Sequence, residues 1–216
     1  MSALRLAAPL DRIAVAHHSG PGLRAIVWVQ GCSLLCTRVC LNPHLLSTSG
    51  GEETTPYELA EAIIVLKRNY RELEGLTVLG GEPFDQAAGL SIALAAIRRE
   101  GLSTMIYSGH ILETLEQRTG ARELLRHTDL LVDGPYVEEE HDDSLIWRGS
   151  KNQRILCLTD RYCPADIDAA IARQRRSVFI SISHRDAVVS GAQTRATAAA
   201  LRAVARIGQE ERLDRF

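Results

Sequence analysis

Gly31-Cys32-Ser33-Leu34-Leu35-Cys36-Thr37-Arg38-Val39-Cys40-Leu41-Asn42-Pro43 decides how this chain is read. It holds three of the five cysteines and follows the apolar run Ala25-Ile26-Val27-Trp28-Val29, which reads as a strand. Three thiolates this close on one loop can converge on a soft metal centre. An iron–sulfur cube held by only three of them keeps one iron open for a substrate. Structural zinc usually pairs C-x2-C motifs or adds histidines at set spacings, and it wants a fourth ligand. His44 is the only nearby candidate for that place. A cysteine-rich loop without metal is the remaining reading.

Further along, strands and helices alternate. Thr55-Pro56-Tyr57-Glu58 is a capping box with proline at the first helical position, opening a helix to about Tyr70. The strand Leu76–Leu79 ends in Gly80-Gly81-Glu82-Pro83, and a helix follows from about Gln86 to Arg99. The strand Ser103–Tyr107 stops at Ser108-Gly109; helices near Leu112–Arg118 and Arg122–Arg126 come next. The strand Leu130–Val132 closes at Asp133-Gly134-Pro135. This alternation predicts a parallel sheet with right-handed crossovers. Four unusual motifs then follow four successive strands, and in such folds ligands sit at the carboxyl ends of the strands. All four are expected around one mouth.

Length and charge narrow the field. The 216 residues fit one domain, 1–216, expected to bury about 70% of its unfolded surface. A formal net charge of -2 gives no global field for nucleic acid or an anionic membrane. No apolar run is long enough to span a bilayer, and the N-terminal stretch lacks the apolar core of a signal peptide. An odd cysteine count with three clustered is not a disulfide framework, which points to a reducing, cytoplasmic setting.

The residues also carry a resemblance. Gly20-Pro21-Gly22-Leu23-Arg24, Gln30-Gly31-Cys32, Cys36, Cys40-Leu41-Asn42-Pro43 and Gly80-Gly81-Glu82-Pro83 together resemble the radical SAM activating enzymes. Leu131-Val132-Asp133-Gly134-Pro135-Tyr136 and Arg148-Gly149-Ser150-Lys151-Asn152-Gln153-Arg154 are similar to the activases of anaerobic ribonucleoside-triphosphate reductase within that group. The resemblance runs from about Arg12 to Leu158 and leaves about 159–216 as a C-terminal extension packed on the core. It departs from the family at two places. The family spaces its cysteines C-x3-C-x2-C, whereas this chain has C-x3-C-x3-C, which reads as one inserted residue with all three ligands retained. Ser19 stands where the activases commonly have aspartate.

The resemblance implies an α/β fold, an incomplete TIM-type barrel of the radical SAM kind, with a C-terminal hairpin and helix. It implies that Cys32, Cys36 and Cys40 hold a 4Fe-4S cluster whose open iron chelates the methionine part of S-adenosylmethionine (SAM). Gly80, Gly81 and Glu82 would receive the amino group of SAM, and Val39 and Leu41 would flank the adenine. Ser108 and Asp133 would line the pocket, with Asp133 also serving the cationic sulfonium. An electron from an external donor such as flavodoxin or ferredoxin would cleave SAM to methionine and a 5′-deoxyadenosyl radical. That radical would take a hydrogen from a glycine of a glycyl-radical partner. Radical chemistry on another protein or peptide is a sibling reading, and a non-enzymatic iron–sulfur carrier or sensor is the reading from a different class.

The remaining polar features have plainer readings beside functional ones. Arg148 to Arg154 contacts either SAM, through Arg148 and Asn152, or the partner; a solvated arginine-rich turn is the bland alternative. Glu138 to Asp143 reads as a solvated acidic face, His17-His18 as an approach loop, and Cys157 as a buried strand residue. Cys157 and Cys163 alone fall short of a second metal ligand set. Val178–Ser183 and Ala187–Val189 form a hairpin, and a helix is expected from about Thr194 to Ile207.

Overall fold

The structure is a computed structural model that describes residues 3–34, 36, 40, 42–174, 178–182 and 187–191, the last two spans by their backbone alone. Its elements in chain order are β1 (Leu4–Leu6), β2 (Ala14–Ala16), β3 (Leu23–Val29), β4 (Glu52–Thr54), α1 (Pro56–Asn69), β5 (Leu73–Gly80) and α2 (Ala87–Arg99). They continue with β6 (Ser103–Tyr107), α3 (Leu112–Leu115), α4 (Ala121–Arg126), β7 (Leu130–Asp133), β8 (Arg154–Cys157), α5 (Pro164–Gln174), β9 (Val178–Ile182) and β10 (Ala187–Gly191). Short 3-10 turns at Pro43–Leu45 and Pro83–Gln86 follow two of the motifs.

Among the described residues the main sheet is mixed rather than all-parallel. Its order is β4-β1-β3-β5-β6-β7-β8, with β2 also on β3. The central β3, β5, β6 and β7 are mutually parallel, while β1, β2, β4 and β8 are added antiparallel. The antiparallel additions correct the expectation of a parallel sheet. Three of them span only three residues, and their partners, rather than any local pattern, define them. The hairpin β9–β10 forms its own antiparallel pair, Ala187 opposite Ile182; the expected helix 194–207 lies outside the described residues.

Side chains alternate across the central strands, and both faces are buried, as parallel sheets require. One face sends Ala25, Val27, Val29, Leu76, Val78, Ile106 and Leu131 against Leu59 and Ile63 of α1, Leu90, Leu94 and Ile97 of α2 and Leu124 of α4. Helix α1 starts where expected: Thr55 Oγ1 accepts from the Glu58 amide at 3.2 Å, and Glu58 accepts from the Thr55 amide at 2.8 Å. The helix expected to reach Arg118 is α3 alone and stops at Leu115.

The opposite face is layered. At the amino-terminal ends of the strands Arg24 is fully buried. Its Nε donates to Thr77 Oγ1 at 2.7 Å, Nη1 to Ser103 Oγ and Pro21 O, and Nη2 to Leu76 O and Ser103 O, so every guanidinium proton finds an acceptor. Gly20 has φ 136°, and a Cβ there would meet Arg24 Cδ at 2.6 Å, which explains the glycine and the arginine of Gly-Pro-Gly-Leu-Arg as one packed unit. Above it Met105, Leu130 and Val132 pack on Trp147 and on Ile167 and Ala170 of α5. Trp28 and Tyr107 come next, at the carboxyl ends, and there a cavity opens.

Candidate functional site

The cavity is about 270 Å³, mostly apolar, and lined by residues from five successive segments. Cys32, Cys36 and Cys40 come from the loop after β3, and Gly80, Gly81 and Glu82 from the end of β5. Ser108 and Gly109 follow β6, Gly134 and Tyr136 follow β7, and Gly149 and Gln153 precede β8. The four motifs therefore do meet at one mouth.

The stem of the cysteine loop is held by main-chain bonds. Gly31 N donates to Leu45 O at 2.9 Å and Cys32 N to Leu46 O at 3.1 Å, while Gln30 Nε2 reaches His44 O and Ser47 O. Asn42 N points to Cys40 Sγ at 3.4 Å. Burial pushes the Cys36 thiol up, and neighbouring Cys32 and Cys40 add to that push. Among the described residues no three of His, Cys, Asp and Glu are grouped to hold a single metal ion. Zinc draws all its sulfur ligands to about 2.3 Å of one point, whereas a cube meets each thiolate at a separate iron. Three thiols line one cavity, with Cys157 and Cys163 away from it, and thiolates are the donors an iron–sulfur cluster takes.

Gly80-Gly81-Glu82 continues the site on the neighbouring strand. Gly81 N donates to Val29 O at 2.9 Å and Glu82 N to Gly31 O at 2.9 Å, so this loop is zipped to the stem of the cysteine loop. A Cβ on Gly81 would run into the Gly31 carbonyl, which makes glycine a steric requirement here. Glu82 is 1% exposed. Its Oε1 accepts from Phe84 N and Ser108 Oγ, both at 3.0 Å, and its Oε2 from Gly109 N at 3.0 Å. Burial pushes its pKa up to about 7 despite these three donors. Ser108 thus lines the cavity and orients Glu82.

Asp133 is placed otherwise than expected. It does not line the cavity. Its carboxylate is fully buried, accepting from Leu112 N at 2.7 Å and from Arg154 Nε at 2.9 Å. Asn152 donates through Nδ2 to Pro135 O at 2.7 Å, and Gln153 through Nε2 to Gly134 O at 3.1 Å. The polar loop 148–154 is therefore stapled to residues 133–135, and together they form one wall of the cavity. Arg148 and Asn152 are not in that lining, although each keeps one buried polar atom without a partner, Arg148 Nε and Asn152 Oδ1. Val39 and Leu41 lie outside the described residues.

Sequence reasoning missed Trp28, Tyr107, Tyr136 and Gln153 as lining residues. Strand alternation marks the first two: Trp28 points away from Val27 and Val29, and Tyr107 away from Ile106. Trp147, beside the wall, is the one non-glycine residue with positive φ among the described residues, at 61°; its Nε1 donates to Gln174 Oε1 of α5 at 2.5 Å. That pairing anchors the entry to the 148–154 loop in a strained backbone.

Comparison with known proteins finds similarity across the region that carries this site. The family described as a 4Fe-4S single cluster domain matches residues 18–156. The chain is 35% identical over 143 residues to the anaerobic ribonucleoside-triphosphate reductase-activating protein of Vibrio cholerae, covering 63% of this chain and 89% of that one. It is 31% identical over 146 residues to the protein of the same name from Pasteurella multocida, covering 65% and 91%. A pyruvate formate-lyase-activating enzyme of Clostridium pasteurianum is 33% identical over 135 residues, 61% of this chain and 54% of that enzyme.

Proposed function

The chain belongs to the 4Fe-4S single cluster domain family, and on that premise we propose that it is a radical SAM activase that installs a glycyl radical on a reductase-like partner protein. The observation that carries this reading is the meeting of three thiols and the Gly80-Gly81-Glu82 loop in one cavity at the carboxyl ends of parallel strands. The strand order, with α1, α2 and α4 on one face and the cavity and α5 on the other, supports an incomplete barrel of the radical SAM kind.

In this reading Cys32, Cys36 and Cys40 hold the cluster. When bound, the 4Fe-4S cluster and SAM together supply reductive cleavage of the sulfonium and removal of a hydrogen atom from the partner's glycine, with the electron coming from an external flavodoxin- or ferredoxin-type donor. Gly80 and Gly81 offer main-chain acceptors to the amino group of SAM, and Glu82 offers a carboxylate that Ser108 and Gly109 keep aimed. Val39 and Leu41, which the resemblance puts beside the adenine, lie outside the described residues. Trp28, Leu79 and Tyr107 keep water away from the reacting atoms. Asp133 acts through Arg154, holding the wall that carries Tyr136 and Gln153. Arg148 and Asn152 each bring an unused polar atom to the same loop.

Anaerobic reconstitution with iron and sulfide, followed by reduction with SAM present, tests the proposal. The expected product is 5′-deoxyadenosine, with a glycyl radical signal when an anaerobic ribonucleotide reductase is added. A cluster that forms but yields no 5′-deoxyadenosine would return the chain to the carrier or sensor reading.

A further inference from the structure

Ser33 is the residue after Cys32, and one acceptor takes both of its donors. The Ser33 amide donates to Asp85 Oδ2 at 2.7 Å and its hydroxyl to Asp85 Oδ1 at 2.8 Å. Asp85 lies in the 3-10 turn Pro83–Gln86, directly after Gly80-Gly81-Glu82. Arg118 Nη2 donates to the same Oδ1 at 3.1 Å, and its Nη1 stands 2.7 Å from His110 Nε2. Segments that leave β3, β5 and β6 therefore converge on a single carboxylate. None of these four side chains lines the cavity, so the network acts from behind it.

We propose that Asp85 is a positioning residue for the cysteine loop, fixing Ser33, and through it the Cys32 thiolate, before the metal arrives. The inference rests on the reading of Cys32, Cys36 and Cys40 as cluster ligands. The physical case is direct. Hydrogen bonds to an ionised acceptor are about twice as strong as neutral ones, and here two of them fix one residue beside a ligand. Partners behind the ligands orient metal sites and are felt in metal retention. The Arg118 guanidinium offsets the carboxylate charge, so that it does not add to the negative charge of three thiolates.

The test compares anaerobically reconstituted wild type with Asp85→Ala, Asp85→Asn, Ser33→Ala and the Asp85→Ala/Ser33→Ala double variant. The readouts are the rate of cluster loss to an iron chelator and the melting temperature of the metal-free protein. Asp85→Ala is expected to lose its cluster about tenfold faster than wild type, with the melting temperature lowered by only a few degrees. Ser33→Ala, which keeps the amide bond to Oδ2, loses it less fast, and the double variant no faster than Asp85→Ala. Asp85→Asn, of the same shape, falls between and decides the matter should the alanine variant fold poorly. Equal rates for wild type and both Asp85 variants, or additive effects of Ser33 and Asp85, would overturn the inference. Wild type that takes up no iron would instead overturn the ligand reading, before Asp85 is in question.

Discussion

Arg154 stands directly opposite Asp133 in the antiparallel register of β8 on β7, and its guanidinium meets the fully buried Asp133 carboxylate at 2.9 Å through Nε. The next two pairs outward, Gln153 with Gly134 and Asn152 with Pro135, continue that register through side chains. Two polar motifs whose paired residues lie 17 to 21 positions apart in the chain are thus the two halves of one cavity wall.

Removing Arg154 leaves the Asp133 carboxylate buried with the Leu112 amide as its remaining donor. Breaking a buried pair in this way is costly, and the 42% exposure of the Arg154 side chain reduces the loss. Arg154→Ala is expected to destabilise the protein by about 2 kcal/mol in urea unfolding, with Arg154→Lys recovering only part because it lacks the planar fork. A loss within experimental error for Arg154→Ala would show that the wall does not depend on the pair.

The cysteines divide into two groups. Alanine at Cys32, Cys36 or Cys40 is expected to abolish the iron and sulfide content of reconstituted protein, while Cys157→Ala and Cys163→Ala retain it. Cys157 is half-buried on β8 and Cys163 is exposed, and neither lines the cavity. Full iron loading of Cys40→Ala would mean that the third ligand is elsewhere.

Glu82 makes stability depend on pH with a definite sign. Its pKa rises from 4.5 to about 7 on folding, so the folded chain keeps a proton that the unfolded chain has lost. The associated stability is complete below pH 4.5 and is lost as pH climbs to about 7. Metal-free wild type should therefore lose about 3 kcal/mol relative to Glu82→Gln over that interval. Denaturation curves for both proteins at several pH values check this, and parallel pH profiles would exclude it. SAM, whose amino group donates to the Glu82 carboxylate in this reading, should correspondingly bind more tightly as pH rises through about 7.

Gly81→Ala places a methyl group against the Gly31 carbonyl, a main-chain atom that cannot rotate away. The zipper between the two loops must then open, at a cost of about 1–3 kcal/mol for overpacking. Thermal unfolding and cluster content should fall together. A variant with an unchanged melting temperature and full cluster would contradict the close approach of Gly81 to Gly31.

What the sequence discloses is local chemistry. The capping box at Thr55, the strand ending at Tyr107 and the cysteine loop each announce themselves within a few residues, and each sits where it was expected. Pairings between distant segments are not written that way. Leu4–Leu6 and Glu52–Thr54 become strands only because β3 offers an edge at one end and β1 at the other. Arg24 has no local sign of its partners, yet from within β3 it finds acceptors on Thr77 and Ser103, two residues remote in the chain. Asp133 and the 148–154 loop show no internal partner in the sequence, because their partners lie 17 to 21 residues away. Each was the other's partner.

The bonds from Gly31 to Leu45 and from Cys32 to Leu46 close the metal loop at its base, and none of them lies in the span between Cys36 and Cys40. On the reading of C-x3-C-x3-C as one inserted residue, a loop closed at this base takes the longer spacing at little cost, since small changes in loop length alter closure entropy little.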